Sequence, residues 1–452
     1  IILGGTWSYY PEQYQIWFVK ECFRALNEFG FADGRKTIEK KYQKIQKKYS
    51  DAKKYAASSN PKHNKSQLED IAIHGSNLHK SYNRVVSELY VAPEKLSGVD
   101  ALQSASWQEL EAEQKKNEMA DVRCVGLVIE TRPDNISEEE VLRIRRLGCT
   151  KTQIGVQSLQ DEVLTKNKRG HDVAATRRAF RLLRQAGLKI HAHWMANLYG
   201  SSVTQDKDDF AVLFSDPDFK PDELKLYPCS LVESAELMGY HQKNLWRPYT
   251  HDELSDVVSF GIAQTPYYCR LSRVIRDIPS QDIVVGNKLT NFRQIAEQEL
   301  EKQKIQPANI RAREIRNEVF GQQTLDLRVS EYETSVSQEY FLEYVAQNEL
   351  GKEKLLGFLR LSAPSIAGFI SELEKAAVIR EIHVYGQLVP LGKKNTGNAQ
   401  HLGLGTRLIE KAAEIARECR FEKLSVISAV GTREYYRKKG FADGELYQHQ
   451  VL

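Results

Sequence analysis

The chain of 452 residues is poor in cysteine, and the cysteines that it has are scattered. No two of the six are close enough to form a Cys-x-x-Cys pair. This spacing argues against a zinc ribbon and against an iron–sulfur cluster built from this chain alone. Reduced thiols are the default for such cysteines. A metal shared by Cys229, Cys269 and His241 stays open as an alternative.

Long apolar runs are also lacking. No stretch approaches the ~20 apolar residues of a membrane span, and no signal-peptide pattern opens the chain. The length and the 41% hydrophobic content suit two or three ordinary domains. We therefore predict a cytoplasmic protein with no membrane partner. Because Ile1-Ile2-Leu3 has the pattern of a strand, we also predict further residues upstream of it.

A large net charge is absent too, since the total is only +4, but the charge is unevenly distributed. The segment from Arg35 to Lys65 has eleven Lys or Arg residues against two acidic ones, a local excess of +9. Tyrosines are interleaved with these charges. Clustered cations release counterions from a phosphate backbone, and tyrosines stack on bases. The segment indicates either RNA binding, through cations that include Lys40, Lys41, Lys47 and Lys48, or a solvated lysine-rich helix.

Strand and helix patterns alternate over the first 279 residues. Apolar spacing predicts a helix over 14–29. Strands are predicted at 122–130, 152–157, 188–195, 223–227 and 267–278. This alternation favours parallel strands with helical crossovers, an α/β fold. Five strands precede residue 230 when 1–3 is counted, so a partial (β/α)6 barrel requires one more upstream.

Barrels of parallel strands place their chemistry at the carboxyl ends of the strands. The residues predicted there are Gly4, Gly5, Thr6, Glu130, Arg132, Gln157, Ser158 and Asn197. His191 and His193 share one strand face, and they are either core histidines near the barrel mouth or metal ligands. A basic and polar insert over 35–120 interrupts the barrel pattern. Residues 280–323 are predicted to form a connector, and 324–452 a separate α+β domain of antiparallel strands, a helix and a last strand.

Within this last domain, a strand leads through a polar loop to Gln400-His401-Leu402-Gly403-Leu404-Gly405 and an amphipathic helix. A helix start preceded by glycines is an anion site, since its free N–H groups can approach a pyrophosphate, although it can also be an ordinary helix start. The motif resembles the Q/R-x-x-G-x-G/A signature of the GNAT acetyltransferases. The segment 430–441 resembles their closing segment, in which a tyrosine is the general acid.

Several motifs resemble those of the elongator protein 3 family. Similar to its radical-SAM half are Ile129–Asp134, Ile154–Ser158, Asn167–His171, Leu224–Pro228 and Arg276–Pro279, and similar to its connector is Ile310–Glu314. Segments 381–386 and 430–438 match its acetyltransferase half. The resemblance spans the chain except for the insert. It implies a radical-SAM-like partial (β/α)6 barrel over 1–279 followed by a GNAT acetyltransferase domain over 324–452.

The resemblance implies modification of the wobble uridine of tRNA. A 4Fe-4S cluster would reduce S-adenosylmethionine to a deoxyadenosyl radical, which takes hydrogen from the acetyl methyl of acetyl-CoA. The acetyl radical would add to C5 of uridine 34, and thioester hydrolysis would leave a carboxymethyl group. The partners implied are the tRNA anticodon stem-loop and either a second copy of the chain or Elongator-type subunits.

The resemblance also implies site residues. The implied catalytic residues are Tyr436, which would lie near the thioester, and Tyr435, which would support the positioning of tRNA or CoA. The implied acetyl-CoA ligands are Arg123, Glu381, Ile382, His383, Val384, Leu404, Gly405, Thr406 and Tyr436. The implied S-adenosylmethionine ligands are Gly4, Gly5, Thr6, Glu130, Arg132 and Gln157. The implied RNA contacts outside the lysine-rich segment are Arg169, Arg311 and Arg313.

The chain departs from the family pattern at three places. The cluster cysteines of the family are expected upstream of Ile1, so this chain supplies no cluster ligand. Arg123 stands where the family has a lysine, which keeps the charge but replaces a point charge with a planar guanidinium. A family cysteine near Ile310 is absent. Two rival interpretations remain: a protein-lysine acetyltransferase that uses only its GNAT domain, and a non-catalytic tRNA-binding scaffold.

Overall fold

The computed structural model describes residues 1–3, 6–29, 43, 103–233, 235–276, 278–315, 325–348, 351–385 and 403–452. Most of the 35–120 insert lies outside these residues. So do several residues with predicted roles: Gly4, Gly5, Lys40, Lys41, Lys47 and Lys48.

The chain divides into two compact units. The first consists of Ile1–Glu130, Ile144–Cys149 and Ser428–Lys438, and the second of Thr131–Arg143, Thr150–Ile427 and Lys439–Leu452. Segments that are distant in the sequence thus share a unit. The predicted domain boundaries at 279 and 323 remain predictions.

The first unit contains helices α1 (Glu12–Phe29) and α2 (Trp107–Asn117) and most of strand β1 (Leu127–Thr131). Helix α1 buries Val19 and Phe23, as their helical spacing predicts. The Asn117 amide donates to Asn27 Oδ1 at 2.8 Å, which ties the end of α2 to α1. Ile2 pairs with Ile129 in parallel, so the first residues are strand-like, as predicted.

The second unit contains a run of parallel strands. Strand β2 (Cys149–Gln157) pairs with β3 (Lys189–Ala196), β3 with β4 (Glu223–Pro228), and β4 with β6 (Arg270–Arg273). The parallel pairing confirms the α/β prediction. Two short strands, β5 (Leu231–Val232) and β7 (Ile283–Val285), pair with each other in antiparallel fashion.

Helices alternate with these strands along the sequence. Their bounds are α3 (Glu138–Arg146), α4 (Asp161–Lys166), α5 (Val173–Gln185), α6 (Val203–Ser215), α7 (Leu237–Gln242), α8 (His251–Gln264), α9 (Phe292–Lys302) and α10 (Ile310–Arg313). Thr250 and Glu253 form a capping box at the start of α8. Gly187 follows α5 with a φ of 68°, which is the left-handed conformation that commonly ends helices.

The C-terminal part of the second unit is a seven-stranded sheet of order β13-β14-β12-β11-β10-β9-β8. Its strands are β8 (Asp326–Glu333), β9 (Ser337–Gln347), β10 (Glu353–Pro364), β11 (Ala376–Val384), β12 (Lys423–Val426), β13 (Ala442–Asp443) and β14 (Gln448–Val451). Strands β11 and β12 are parallel, and the other pairs are antiparallel. Helix α11 (Leu404–Glu418) precedes β12 and buries its apolar face, including Leu408 and Ala412. This mixed sheet agrees with the predicted α+β domain.

Candidate active site

Strands β11 and β12 separate partway along their length. Their parallel pairing ends at Ile379 with Val426, followed by one hydrogen bond from Ile427 N to Ile379 O of 3.2 Å. The other edge of β11 stays paired with β10 as far as Val384. Among the described strands, none pairs with the β12-side edge of 381–384. An open strand edge offers N–H and C=O groups that can bind an extended amide chain.

A β-bulge lies where this separation begins. Arg360 of β10 pairs with Glu381 and Leu361 pairs with Ile379, so Arg380 is the extra residue in β11. Bulges bend a strand and increase its twist. The bend accounts for the departure of β11 from β12. The four predicted acetyl-CoA ligands in 381–384 follow directly after this bulge, and all of them are at least partly exposed.

The start of helix α11 provides the second half of this candidate site. Gly403 precedes the helix with a φ of 67°, a left-handed conformation that glycine adopts without strain. Among the described residues no side chain caps the helix there, so the leading amides of Leu404 and Gly405 can serve a ligand. The Leu404 side chain is fully buried, so only its backbone can serve a ligand.

Lys439 was missed by the sequence analysis, and it lies at this helix start. Its ammonium donates to Thr406 Oγ1 at 2.6 Å. A phosphate group is favoured at the amino end of a helix, because the helix dipole is positive there, and a nearby ammonium group adds to this attraction. The lysine therefore fits a phosphate group at Leu404, Gly405 and Thr406. Its place in a Lys-Lys-Gly sequence gave no signal of this contact.

Both predicted catalytic tyrosines lie in the first unit, on the short helix α12 (Arg433–Arg437). Tyr436 is 8% exposed and Tyr435 is 41% exposed. Their ring centroids are 5.2 Å apart at an angle of 81°. Partial burial raises the pKa of the Tyr435 phenol, which keeps it protonated at neutral pH. A protonated phenol can act as a hydrogen-bond donor or general acid.

Arg123 lies beside the turn that leads into α12. Gly431 N donates to Cys124 O at 2.9 Å, and a Cβ on Gly431 would stand 2.6 Å from the Arg123 Cβ. Only glycine permits this approach. The structure thus brings Arg123 into the same unit and the same neighbourhood as the tyrosine segment, although more than 300 residues separate them in the sequence.

Glu118 is a second residue that the sequence analysis missed. Glu118 is 2% exposed, and its carboxylate binds Arg437 at 2.9 Å and Arg433 at 3.2 Å. Burial alone would raise its pKa, but the charges of Lys115, Arg437 and Arg433 hold the pKa of Glu118 below its usual value. Glu118 thus fixes both ends of α12 and the tyrosines between them. Its position in a polar stretch gave no indication of this role.

The carboxyl ends of the parallel strands carry strained residues. Gln157, at the end of β2, has a φ of 69°, and Asn197, after β3, has a φ of 61°. Non-glycine residues in the left-handed region cluster at functional sites. The side chain of Asn197 has structural partners, because its amide nitrogen donates to Arg247 O and its amide oxygen accepts from Tyr249 N. Ser158 is also occupied, because its hydroxyl donates to Asp209 at 3.1 Å.

Arg132 and Arg169 lie near Gln157. Arg132 binds Asp134 through two hydrogen bonds of 2.9 and 3.0 Å and donates to Arg169 O at 2.6 Å. Burial and the charge of Arg132 lower the pKa of Arg169 to about 10. A Cβ on Gly155 would meet both Gln157 Nε2, at 3.0 Å, and an Arg169 guanidinium nitrogen, at 3.3 Å. Arg169 was predicted to contact RNA, and the structure places it next to a predicted S-adenosylmethionine ligand.

A cavity of about 480 Å³ adjoins this group and is lined by Asp134, Lys168, Arg169 and His171, among others. Two buried atoms on its lining, Arg169 Nε and His171 Nδ1, have no hydrogen-bond partner. Burial and the charge of Arg169 lower the pKa of His171, so its ring is neutral at pH 7. Buried polar atoms without partners favour a bound polar ligand. This arrangement fits S-adenosylmethionine, which carries hydroxyl, amino and carboxylate groups.

Two further predicted ligands of S-adenosylmethionine lie in the described residues. Thr6 is buried, and Glu130 is half-buried on β1.

The two histidines of β3 belong to the core. His191 Nε2 lies 2.7 Å from Ser272 Oγ, and His193 Nε2 lies 2.9 Å from Gln153 Oε1. Burial and nearby lysines hold the pKa of both rings well below the usual value. Both rings are buried, as the core interpretation expects, and His191 Nδ1 lies 3.4 Å from Glu223.

Metal ligands are not assembled in the part of the chain that the structure describes. No group of three or more His, Cys, Asp or Glu side chains there could hold a metal ion. Cys229 and Cys269 are both free thiols, and Cys269 is fully buried. The described residues consequently do not fit a 4Fe-4S cluster.

The helices that the structure describes are all too short or too polar to span a membrane.

The predicted RNA contacts on α10 differ from each other. Arg313 is 9% exposed, and its guanidinium binds Glu343 at 2.8 Å, Glu353 at 3.1 Å and Tyr267 O at 3.0 Å. These partners occupy it, which corrects its expected role: Arg313 is a structural side chain. Arg311 is half-buried, so part of it remains accessible.

Comparison with known proteins places these features in a family. The Radical SAM superfamily model matches residues 95–205, and the Radical_SAM C-terminal domain model matches residues 221–302. The chain is 38% identical to a tRNA uridine(34) acetyltransferase of Methanocaldococcus jannaschii, over 78% of this chain and 66% of that protein. Another tRNA uridine(34) acetyltransferase, from Dehalococcoides mccartyi, is 38% identical over 76% of this chain and 75% of its own length.

A solved structure shows the same fold. The archaeal Methanocaldococcus infernus Elp3 with an N-terminus deletion (1–46) is 37% identical, with a TM-score of 0.71. The match covers 76% of this chain and 82% of that one. The Elongator complex protein 3 of Homo sapiens is 33% identical over 76% of this chain and 63% of that protein. The chain spans about two thirds of the length of the curated relatives that it matches. It belongs to the family of tRNA uridine(34) acetyltransferases and Elongator complex protein 3.

Proposed function

We propose that the protein modifies C5 of the wobble uridine, nucleotide 34 of tRNA, with acetyl-CoA as the carbon donor and S-adenosylmethionine as the radical source. The product that we propose is carboxymethyluridine. The observation that carries the proposal is the presence, in one chain, of a Radical SAM match and of a splayed β11–β12 pair beside an uncapped helix. The names of the relatives indicate the substrate.

Acetyl-CoA would occupy the opening between β11 and β12. The open edge of Glu381, Ile382, His383 and Val384 would pair with the amide groups of pantetheine. The amides of Leu404 and Gly405, with Thr406 and Lys439, would hold the pyrophosphate. Phe358 and His383 stack with ring centroids 5.9 Å apart, which stiffens the strand along this edge.

Tyr436 would donate a hydrogen bond or proton near the thioester, and Tyr435 would help to position the RNA or the CoA. The mostly buried Tyr436 ring is held in place, because Glu118 fixes the flanking arginines of α12. Arg123, next to Gly431, would contribute its positive charge to acetyl-CoA binding. All these groups lie in the first unit.

S-adenosylmethionine would be held by Thr6, Glu130, Arg132 and Gln157, together with Gly4 and Gly5. Arg169 and His171 would extend this set through the two unpartnered atoms on the cavity lining. When bound, S-adenosylmethionine supplies the hydrogen-abstracting chemistry of radical SAM enzymes. This chain's side chains would orient the cofactor and keep its charged groups paired.

The anticodon stem-loop would bind through Arg311 and through the lysine-rich segment that contains Lys40, Lys41, Lys47 and Lys48. Local cations and not net charge would supply the affinity, since the net charge is only +4. Either a second copy of the chain or Elongator-type subunits would complete the assembly.

Binding measurements test the proposal. We expect the protein to bind acetyl-CoA in isothermal titration calorimetry, and Gly403→Val to weaken this binding because a β-branched residue is strained at a φ of 67°. We also expect an anticodon stem-loop with uridine 34 to bind. A protein that binds acetyl-CoA but prefers a lysine peptide to any stem-loop would instead support the lysine acetyltransferase.

A further inference from the structure

A network of buried charges surrounds Asp222, the residue before strand β4. Its carboxylate is fully buried and accepts hydrogen bonds of 2.6 and 2.8 Å from the Arg380 guanidinium. It also accepts one of 2.9 Å from Ile190 N, in strand β3. Burial alone would raise its pKa, but Arg380, Arg360 and Arg184 hold the pKa of Asp222 far below its usual range. The carboxylate is therefore charged at neutral pH.

Arg380 carries this network into the C-terminal sheet, because it is the bulge residue of β11. Its side chain is 0% exposed, and its Nε donates to Glu339 of β9 at 3.0 Å. Asp222 and Glu339 thus hold it from two sides. Arg380 lies where the bulge bends β11 away from β12. At this bend its side chain is anchored by Asp222, a residue of the parallel-strand region.

Glu381, the first residue of the open strand edge, is anchored in the same way. One carboxylate oxygen accepts from Arg360 Nε at 2.9 Å, and the other accepts from Lys189 Nζ at 3.1 Å. Lys189 is the first residue of β3. Lys189 and Arg360 keep the pKa of Glu381 well below its usual value although burial would raise it. Glu381 is therefore ionised, and each of its two carboxylate oxygens accepts a hydrogen bond.

These contacts join the parallel strands of the second unit to its C-terminal sheet. An acetyltransferase domain that folded separately from the parallel strands would lack them. Without Asp222, the Arg380 and Arg360 guanidinium groups, which are at most 1% exposed, would lose a carboxylate partner. Unpaired buried charge strongly destabilises a fold. The C-terminal sheet therefore depends on the starts of β3 and β4 for the shape of its bulge.

We propose that Lys189 and Asp222 are positioning residues for acetyl-CoA: from the parallel-strand region they set the geometry of the β11 edge that receives pantetheine. This inference rests on the proposed acetyl-CoA site. Neither residue touches the ligand. They act through Glu381 and Arg380, so acetyl-CoA affinity depends on residues outside the acetyltransferase fold.

Lys189→Met tests the proposal, because methionine keeps the apolar stem and removes the charge. We expect acetyl-CoA to bind on the order of fivefold more weakly in calorimetry, the usual size of an effect transmitted through a contact network. Lys189→Arg, which can still reach Glu381, should recover most of the affinity. The matched control is Lys375→Met, which removes an exposed ion pair with Glu422 from the same sheet.

The outcomes are distinguishable. If the unmodified protein fails to bind acetyl-CoA, the proposed function fails. If it binds and Lys189→Met binds equally well, the positioning role is overturned. An equal loss in Lys375→Met would also overturn it, because the effect would then not be specific to the network. Circular dichroism identifies a variant that fails to fold, and Lys189→Gln, which retains a polar group, then takes its place under the same criteria.

Discussion

Replacing Asp222 with asparagine should markedly destabilise the second unit. The change keeps the shape of the side chain but removes the charge that pairs with Arg380, whose side chain is 0% exposed. Removing one partner of a buried ion pair costs about 3–5 kcal/mol, and here the buried Arg380 charge keeps only Glu339 as a carboxylate partner. At a few degrees per kcal/mol, the melting temperature should fall by roughly 10 °C.

The same substitution predicts a pH dependence. The pKa of Asp222 is far below its usual value in the folded state, so its contribution is fully present above the unfolded value of about 3.9 and is lost as the pH falls. The difference in melting temperature between the two proteins should be constant near pH 7 and should shrink from about pH 5 downwards.

Differential scanning calorimetry measures both effects, with Lys375→Met as the surface control, which should change stability by no more than about 1 kcal/mol. A double variant of Asp222→Asn and Arg380→Met should lose less than the sum of the single changes, because the two residues interact directly. A loss of under 2 °C in Asp222→Asn, or strict additivity, would refute the account of the network.

Three further predictions concern ligand sites. Tyr436→Phe keeps the aromatic ring and should therefore largely retain acetyl-CoA affinity, but it should lower the rate of uridine modification by about 10²-fold, as removal of a general acid does, and an unchanged rate would rule out that role. Arg169→Met should weaken S-adenosylmethionine binding about tenfold in equilibrium dialysis, because a charged hydrogen bond is lost. Arg178→Met serves as the control, because Arg178 is exposed on α5 and does not line the cavity; it should have little effect, and equal losses would argue for charge alone. Reversing the four lysines of the basic segment should weaken stem-loop binding and lower its salt slope by about 0.7 per lost phosphate contact, whereas an unchanged slope would mean a solvated segment. The lysines are Lys40, Lys41, Lys47 and Lys48.

The alternation of strands and helices was predictable because parallel strands leave apolar runs in the sequence. Helix α1, predicted over 14–29, spans Glu12–Phe29, and the strand predicted over 223–227 spans Glu223–Pro228. The strand predicted over 267–278 is shorter, at Arg270–Arg273. The apolar residues beyond it, such as Val274, are buried without being part of the strand. A run of buried residues therefore overestimates the length of a strand.

Charged side chains were less predictable, because sequence patterns do not show which charges meet in space. Arg313 was expected on an RNA surface and is instead held by Glu343 and Glu353. Asp222 and Arg380 are 158 residues apart, and their pairing has no local signal. Glu118 likewise meets Arg437 only after folding. By contrast, Gly403 lay in a recognisable motif, because the backbone conformation at that helix start requires glycine.

The most direct test of the central claim is the fate of a labelled acetyl group. The protein, prepared without oxygen with a reconstituted 4Fe-4S cluster and with dithionite as the electron donor, is given unmodified tRNA, S-adenosylmethionine and acetyl-CoA labelled in its acetyl carbons, and the RNA is then digested to nucleosides. The account predicts label in a carboxymethylated uridine from position 34, and its loss when S-adenosylmethionine is omitted. Label on protein lysines with none in the RNA would contradict it.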